Sequence, residues 1–136
     1  MASELKVNTL TGVSTAGSIA VTAEGNSTTT NLQQGLAKVW AYFNQASSSS
    51  TPADSFNVSS IDDDSAGDFD VNYTNAMANN TYASAFNSDA VGNAIVSNNA
   101  IIGAGYATTE LRFLHYENGS LVDATAGTVM VMGDLA

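Results

Sequence analysis

The sequence predicts an all-β protein: an antiparallel, β-sandwich-like domain with one short helix, preceded by an extended N-terminal arm. Apolar side chains recur at every second position in several separate stretches, which is the period of a half-buried strand. Ser, Thr and Asn number 16, 14 and 14 and make up about a third of the 136 residues; Thr favours strands and Asn favours turns. An Asn118-Gly119 pair also sits between two alternating runs, the strongest short-range signal for a hairpin. A chain of this length supports one domain with a real apolar core and is short for two. The expected division is an arm or anchor over residues 1–25 and a sandwich-like body over residues 26–136.

Within the arm, Leu5, Val7 and Thr9 alternate with Lys6, Asn8 and Leu10, and after Gly12 and Gly17 come Ile19, Val21 and Ala23. Two strands are expected here, paired as a small ribbon. So few residues with so little apolar content bury no core of their own, which puts Leu5 and Val7 at an interface with a partner or another copy. Residues 24–30 read as a polar loop. Asn31 is an N-cap candidate for a short helix over residues 32–38, with Leu32 and Leu36 at i, i+4.

From Val39 two readings compete. Val39, Trp40 and Phe43 would continue a helical face, whereas Val39, Ala41 and Phe43 against Trp40, Tyr42 and Asn44 would form a strand buried on both sides. The crowding of aromatic and β-branched residues favours the strand. Residues 45–54, with four consecutive serines and Pro52, read as a surface loop. A hairpin follows, in which Phe56, Val58 and Ser60 alternate with Asn57, Ser59 and Ile61. Beyond an acidic turn over residues 62–68, Phe69, Val71 and Tyr73 alternate with Asp70, Asn72 and Thr74. Trp40, Phe43, Phe56, Val58, Phe69, Val71 and Tyr73 form the expected core. Further strands are expected at Tyr82, Ser84 and Phe86, over residues 93–102, and on both sides of the Asn118-Gly119 turn. The last strand, residues 128–132, carries Val129 and Val131 on one face and Met130 and Met132 on the other. A small antiparallel sheet usually keeps one face wet, so these four residues are expected at a subunit interface.

Charge excludes several partners. Charged residues are 12% of the chain, against roughly 25% in an ordinary soluble domain. Lys6, Lys38 and Arg112 face 13 carboxylates, for a net charge of -10. Nucleic acid, whose affinity comes from phosphate neutralisation, is therefore excluded as a partner, and an anionic membrane surface would repel the chain. No window approaches the length of apolar sequence that membrane insertion needs. Glu4 stands where an export signal carries positive charge, which points to synthesis in a cytoplasm without export. Without cysteine there is no disulfide framework, thiolate nucleophile or cysteine zinc site.

No catalytic, cofactor or metal set emerges. His115, the one histidine, lies inside an expected strand, and no Gly-x-Ser-x-Gly elbow presents a nucleophile to it. Asp62, Asp64 and Gly67 match the first, third and sixth positions of a calcium loop, but Ala66 takes the fifth and Tyr73 replaces the bidentate glutamate. An acidic turn whose side chains cap their own backbone is the simpler reading of Asp62, Asp63, Asp64, Asp68 and Asp70. Gly103 and Gly105 lack the rest of a dinucleotide fingerprint and suggest a bulge. Trp40, Tyr42 and Phe43 would suit a sugar-stacking platform, although aromatics in an alternating strand are more often core. Asn26, Asn57, Asn72, Asn79 and Asn118 head Asn-x-Ser/Thr triplets, expected by chance in so Asn-rich a chain.

Residues 37–44 (AKVWAYFN), 54–63 (DSFNVSSIDD) and 67–73 (GDFDVNY) together resemble the repeated core of tail-fibre and virion structural proteins of cyanophages and other marine tailed bacteriophages. The opening ELKVNTL and the closing VMVMGD look like the ends of that unit, and a Ser-rich loop after Asn44 replaces the Gly-Thr-rich link of many relatives. The resemblance implies a non-enzymatic structural or adhesive role on the outer surface of a virion, as a fibre-like appendage. It also implies homotrimers, contacts with other virion proteins of tail or capsid, and no cofactor. A host surface glycan is a candidate contact. The alternatives are a capsid decoration (cement) protein and, in another class, a carbohydrate-binding module.

Overall fold

A computed structural model describes residues 4–12, 19–22, 28–44, 51–88, 94–97 and 105–136. The chain divides into two compact units between Leu36 and Ala37, later than the boundary expected after Gly25. In the first unit, β1 (Ala20–Thr22) pairs antiparallel with β2 (Thr29–Asn31). The ribbon partner of Val21 is thus Thr30, from the stretch read as a loop. Residues 4–12 form no strand, and Leu5, Val7 and Leu10 are exposed. The expected helix over residues 32–38 is a single turn. Gly35 N–H donates to the Asn31 carbonyl (3.1 Å), and Asn31 Oδ1 accepts from Gln34 N–H (3.2 Å) in the manner of an N-cap. The turn goes no further: one turn is a costly nucleus without propagation, and the β-branched and aromatic run from Ala37 commits to a sheet.

The second unit is all-β, with two antiparallel sheets packed in a sandwich-like arrangement and no helix among the described residues. Its strands are β3 (Ala37–Phe43), β4 (Asp54–Phe56), β5 (Val58–Ser65), β6 (Asp68–Tyr73), β7 (Ala83–Ser88), β8 (Ala94–Ser97), β9 (Glu110–Glu117), β10 (Ser120–Leu121) and β11 (Gly127–Met132). One sheet has the order β4-β3-β11-β7. The other runs β10-β9-β6-β5, with β8 also paired to β9.

Alternation supplies the core between the sheets. Val39, Ala41 and Phe43 from β3, Val129 and Val131 from β11, Phe69, Val71 and Tyr73 from β6, and Leu111 and Phe113 from β9 are all buried. Phe43 and Phe86 of the first sheet meet Phe69 and Phe113 of the second, with ring centroids 5.0–5.4 Å apart in the tilted geometries that aromatic quadrupoles favour. Towards the other end Tyr73 donates to Tyr82 Oη (3.2 Å), which reaches the Ala107 carbonyl (2.8 Å). Burial, helped by that phenol contact, pushes the Tyr73 hydroxyl well above its ordinary pKa.

Several expected positions are corrected. β11 is a central strand, so Val129 and Val131 belong to the domain's own core and not to a subunit interface; Met130 alternates outward. Trp40 and Phe56, expected in the core, stand on the outer face of the first sheet. For Trp40 the cause is that β3 is buried on one side only from Val39 to Phe43. For Phe56 it is a change of sheet. Residues 54–60 are two strands, β4 in the first sheet and β5 in the second, hinged at Asn57 with φ of 60°. The hinge resets the alternation, leaving Val58 partly buried against the core and Phe56 outside it.

The acidic turn also shrinks. β5 continues through Asp62, Asp63 and Asp64 to Ser65, and the reversal is made by Ala66 and Gly67. Gly67 has φ of +69°, and a Cβ there would lie 2.5 Å from the His115 carbonyl oxygen and 2.6 Å from Val122 N, so the turn admits no larger residue without moving backbone. Asn118 and Gly119, with φ of 50° and 84°, make the primed turn expected of that pair. Gly103 and most of the strand expected over residues 93–102 lie outside the described residues; the described part is β8.

Candidate functional site

The first sheet turns two rows of side chains outward. Because Val39, Ala41 and Phe43 face the core, Trp40 and Tyr42 must face away from it. Cross-strand register then sets their neighbours: Trp40 lies opposite Phe56 on β4 and opposite Met130 on β11, and Met130 lies opposite Ala85 on β7. One row across the sheet is therefore Phe56, Trp40, Met130, Ala85. The next, two residues along each strand, is Asp54, Tyr42, Thr128, Asn87. Directly opposite side chains sit about 5 Å apart at Cβ, so each row is continuous.

These rows differ in chemistry. The first is apolar, and Trp40, Phe56 and Met130 are 38, 50 and 44% exposed. The second carries a carboxylate, a phenol, a hydroxyl and an amide, all on exposed residues. At the end of the sheet where β7 finishes and β11 begins, Asn87, Ser88, Ala126 and Thr128 line a shallow cavity of about 240 Å³. Of the suggested platform of Trp40, Tyr42 and Phe43, the first two share this face and Phe43 does not. Phe56, Met130 and the polar row were not legible as part of it, because they join only through strand register.

The second sheet faces outward with charge. Arg112 on β9 holds Asp68 on β6 through both guanidinium edges, with Nε 2.7 Å from Oδ1. Asp70 lies opposite both Arg112 and Asp62. Partial burial, then the neighbouring charges of Asp64 and Glu110, raise its pKa to about 6. Asp62 accepts a hydrogen bond from the Asn72 amide (2.9 Å). No group of three or more His, Cys, Asp or Glu side chains is placed to hold a metal ion among the described residues.

His115 is buried on β9, facing the first sheet. Its Nδ1 lies 2.7 Å from the Val122 carbonyl and its Nε2 lies 3.1 Å from Ser88 Oγ on β7. A carbonyl only accepts, so in the neutral ring Nδ1 carries the proton and Ser88 donates to Nε2. Sequence reasoning found no serine for this histidine, since the pair is separated in the chain and united by sheet packing. The third member is a main-chain carbonyl, not an orienting carboxylate, and the pair ties β7 to β9 across the core.

Comparison with protein-family models, with curated proteins and with solved structures finds no match for this chain. What fold and face define is a class: a two-sheet antiparallel module with an exposed aromatic outer surface.

Proposed function

We propose that this chain is a non-enzymatic structural protein of the outer surface of a tailed-phage virion, a fibre-like appendage that contributes to attachment. The observation that carries this role is the Phe56-Trp40-Met130 row, large apolar side chains exposed side by side on three paired strands of one sheet face. Contiguous exposed apolar area of this kind marks a contact surface. The N-terminal unit, with Leu5 and Val7 exposed, suits assembly into a homotrimer and anchoring to other virion proteins, leaving the sandwich to meet a target.

A capsid decoration role that extends a neighbouring sheet by strand addition through β5 is less well supported. Edge strand β5 carries Asp62, Asp63 and Asp64 and shifts register near Ser59 and Asp64, and charges and bulges at an edge both oppose pairing with another chain. Gold-conjugated antibodies against the purified chain should decorate intact particles at their tail or fibre ends, and light scattering of the purified chain should give a trimer mass. Unlabelled particles, or a monomer at all concentrations, would refute the proposal.

A further inference from the structure

We propose that the outer face of the first sheet binds a neutral polysaccharide, with sugar rings stacked on Phe56, Trp40 and Met130 and ring hydroxyls hydrogen-bonded along Asp54, Tyr42, Thr128 and Asn87. This site deepens the attachment role proposed above and rests on it.

The two rows match the two sides of a pyranose. A sugar ring offers a patch of C–H bonds on its face, which packs on aromatic and thioether groups, and hydroxyls around its rim, which need donors and acceptors. The face supplies these as parallel, adjacent rows, fixed by backbone pairing on four successive strands. A ligand lying along the rows crosses the strands from β4 towards β7 and meets the shallow cavity beside Asn87 and Thr128. That cavity is smaller than the roughly 300–1,000 Å³ of a pocket enclosing a whole ligand, so it accommodates a ring substituent.

Charge makes the ligand neutral. Asp54 is the charged residue of the two rows, Lys38 is buried, Arg112 belongs to the other sheet, and the chain carries a net charge of -10. Uronic acids, sulfated sugars and phosphorylated headgroups would all be repelled. Area argues against a second copy of the chain as occupant. With roughly 200 Å² for a large side chain, Trp40, Tyr42, Phe56 and Met130 leave on the order of 350 Å² uncovered. A stable protein interface buries about 800 Å² on each partner.

Trp40 is the only tryptophan, so its fluorescence reports on the centre of the face. The full chain would be run in affinity gels containing dextran, yeast mannan, agarose-derived galactan or alginate, and titrated with the same polymers while acrylamide quenching of Trp40 is followed. At least one neutral polymer should retard the chain and shield Trp40, and alginate should do neither. Phe56→Ala and Tyr42→Phe, checked for an unchanged melting temperature, should each weaken binding about tenfold, the scale of one good contact. Retardation by none of the neutral polymers, equal retardation by alginate, or binding indifferent to both variants would overturn the site. So would quenching protection that grows with protein concentration alone, which would assign the face to a second copy. Particle labelling is read independently of these gels, so loss of the sugar site and loss of the virion role are told apart.

Discussion

Asp70 shows how one side chain reports on its surroundings. Its Oδ1 is buried without a hydrogen-bond partner, and desolvation, reinforced by Asp64 and Glu110, raises its pKa from 3.8 to about 6. A carboxyl with a raised folded pKa binds its proton more tightly in the folded state than in the unfolded one. Stability from this group is therefore greatest below about pH 4 and declines as pH rises through about 6. Asp70→Asn removes the ionisation and should raise the melting temperature at pH 7 to 8 while changing it little near pH 4. Calorimetric melts across that range check the sign, and a variant less stable at pH 8 would show that the carboxylate is wanted there. Trp40 looked like core because aromatics in alternating strands usually are, and only the burial of one side of β3 decides otherwise.

At the scale of the element, much was legible where local chemistry dominates. Asn118-Gly119 makes its turn because both residues tolerate positive φ, and the alternation of Phe69, Val71 and Tyr73 reads directly as the buried face of β6. Signals failed where one residue redirects the chain. Asn57 donates from Nδ2 to the Lys38 and Asn75 carbonyls (3.1 and 3.0 Å) and accepts at Oδ1 from the Asn75 N–H (2.7 Å). It thereby locks the crossing from β4 to β5, where uninterrupted alternation had suggested one strand. Asn57→Ala loses those bonds and adds left-handed strain, so it should cost about 2 to 4 kcal/mol, with Asn57→Gly less costly by about 1 kcal/mol. Urea titrations of both variants measure the difference; equal midpoints would mean that the strain counts for nothing. The expected helix failed for a related reason: Leu32 and Leu36 had the right spacing, but one capped turn had no continuation.

For the molecule as a whole, the clustered core lies entirely within residues 39–131, so the second unit holds what it needs to fold. Deleting residues 1–36 should leave a cooperative, β-rich body and, under the virion role proposed above, one that no longer incorporates into particles; circular dichroism, thermal melting and particle incorporation test both halves of that statement. Fold class was readable because alternation and turn chemistry agree along most of the chain. Of the candidate face only Trp40 and Tyr42 were readable, since the other members come from β4, β7 and β11 and join them only after folding. The guarded edge at β5 bears on behaviour under crowding. Sheet proteins packed densely tend to zip together through open margins into fibrils, and three aspartates with two register breaks deny that margin a template. Along this border, copies arrayed side by side stay neighbours and do not become links of a growing ribbon.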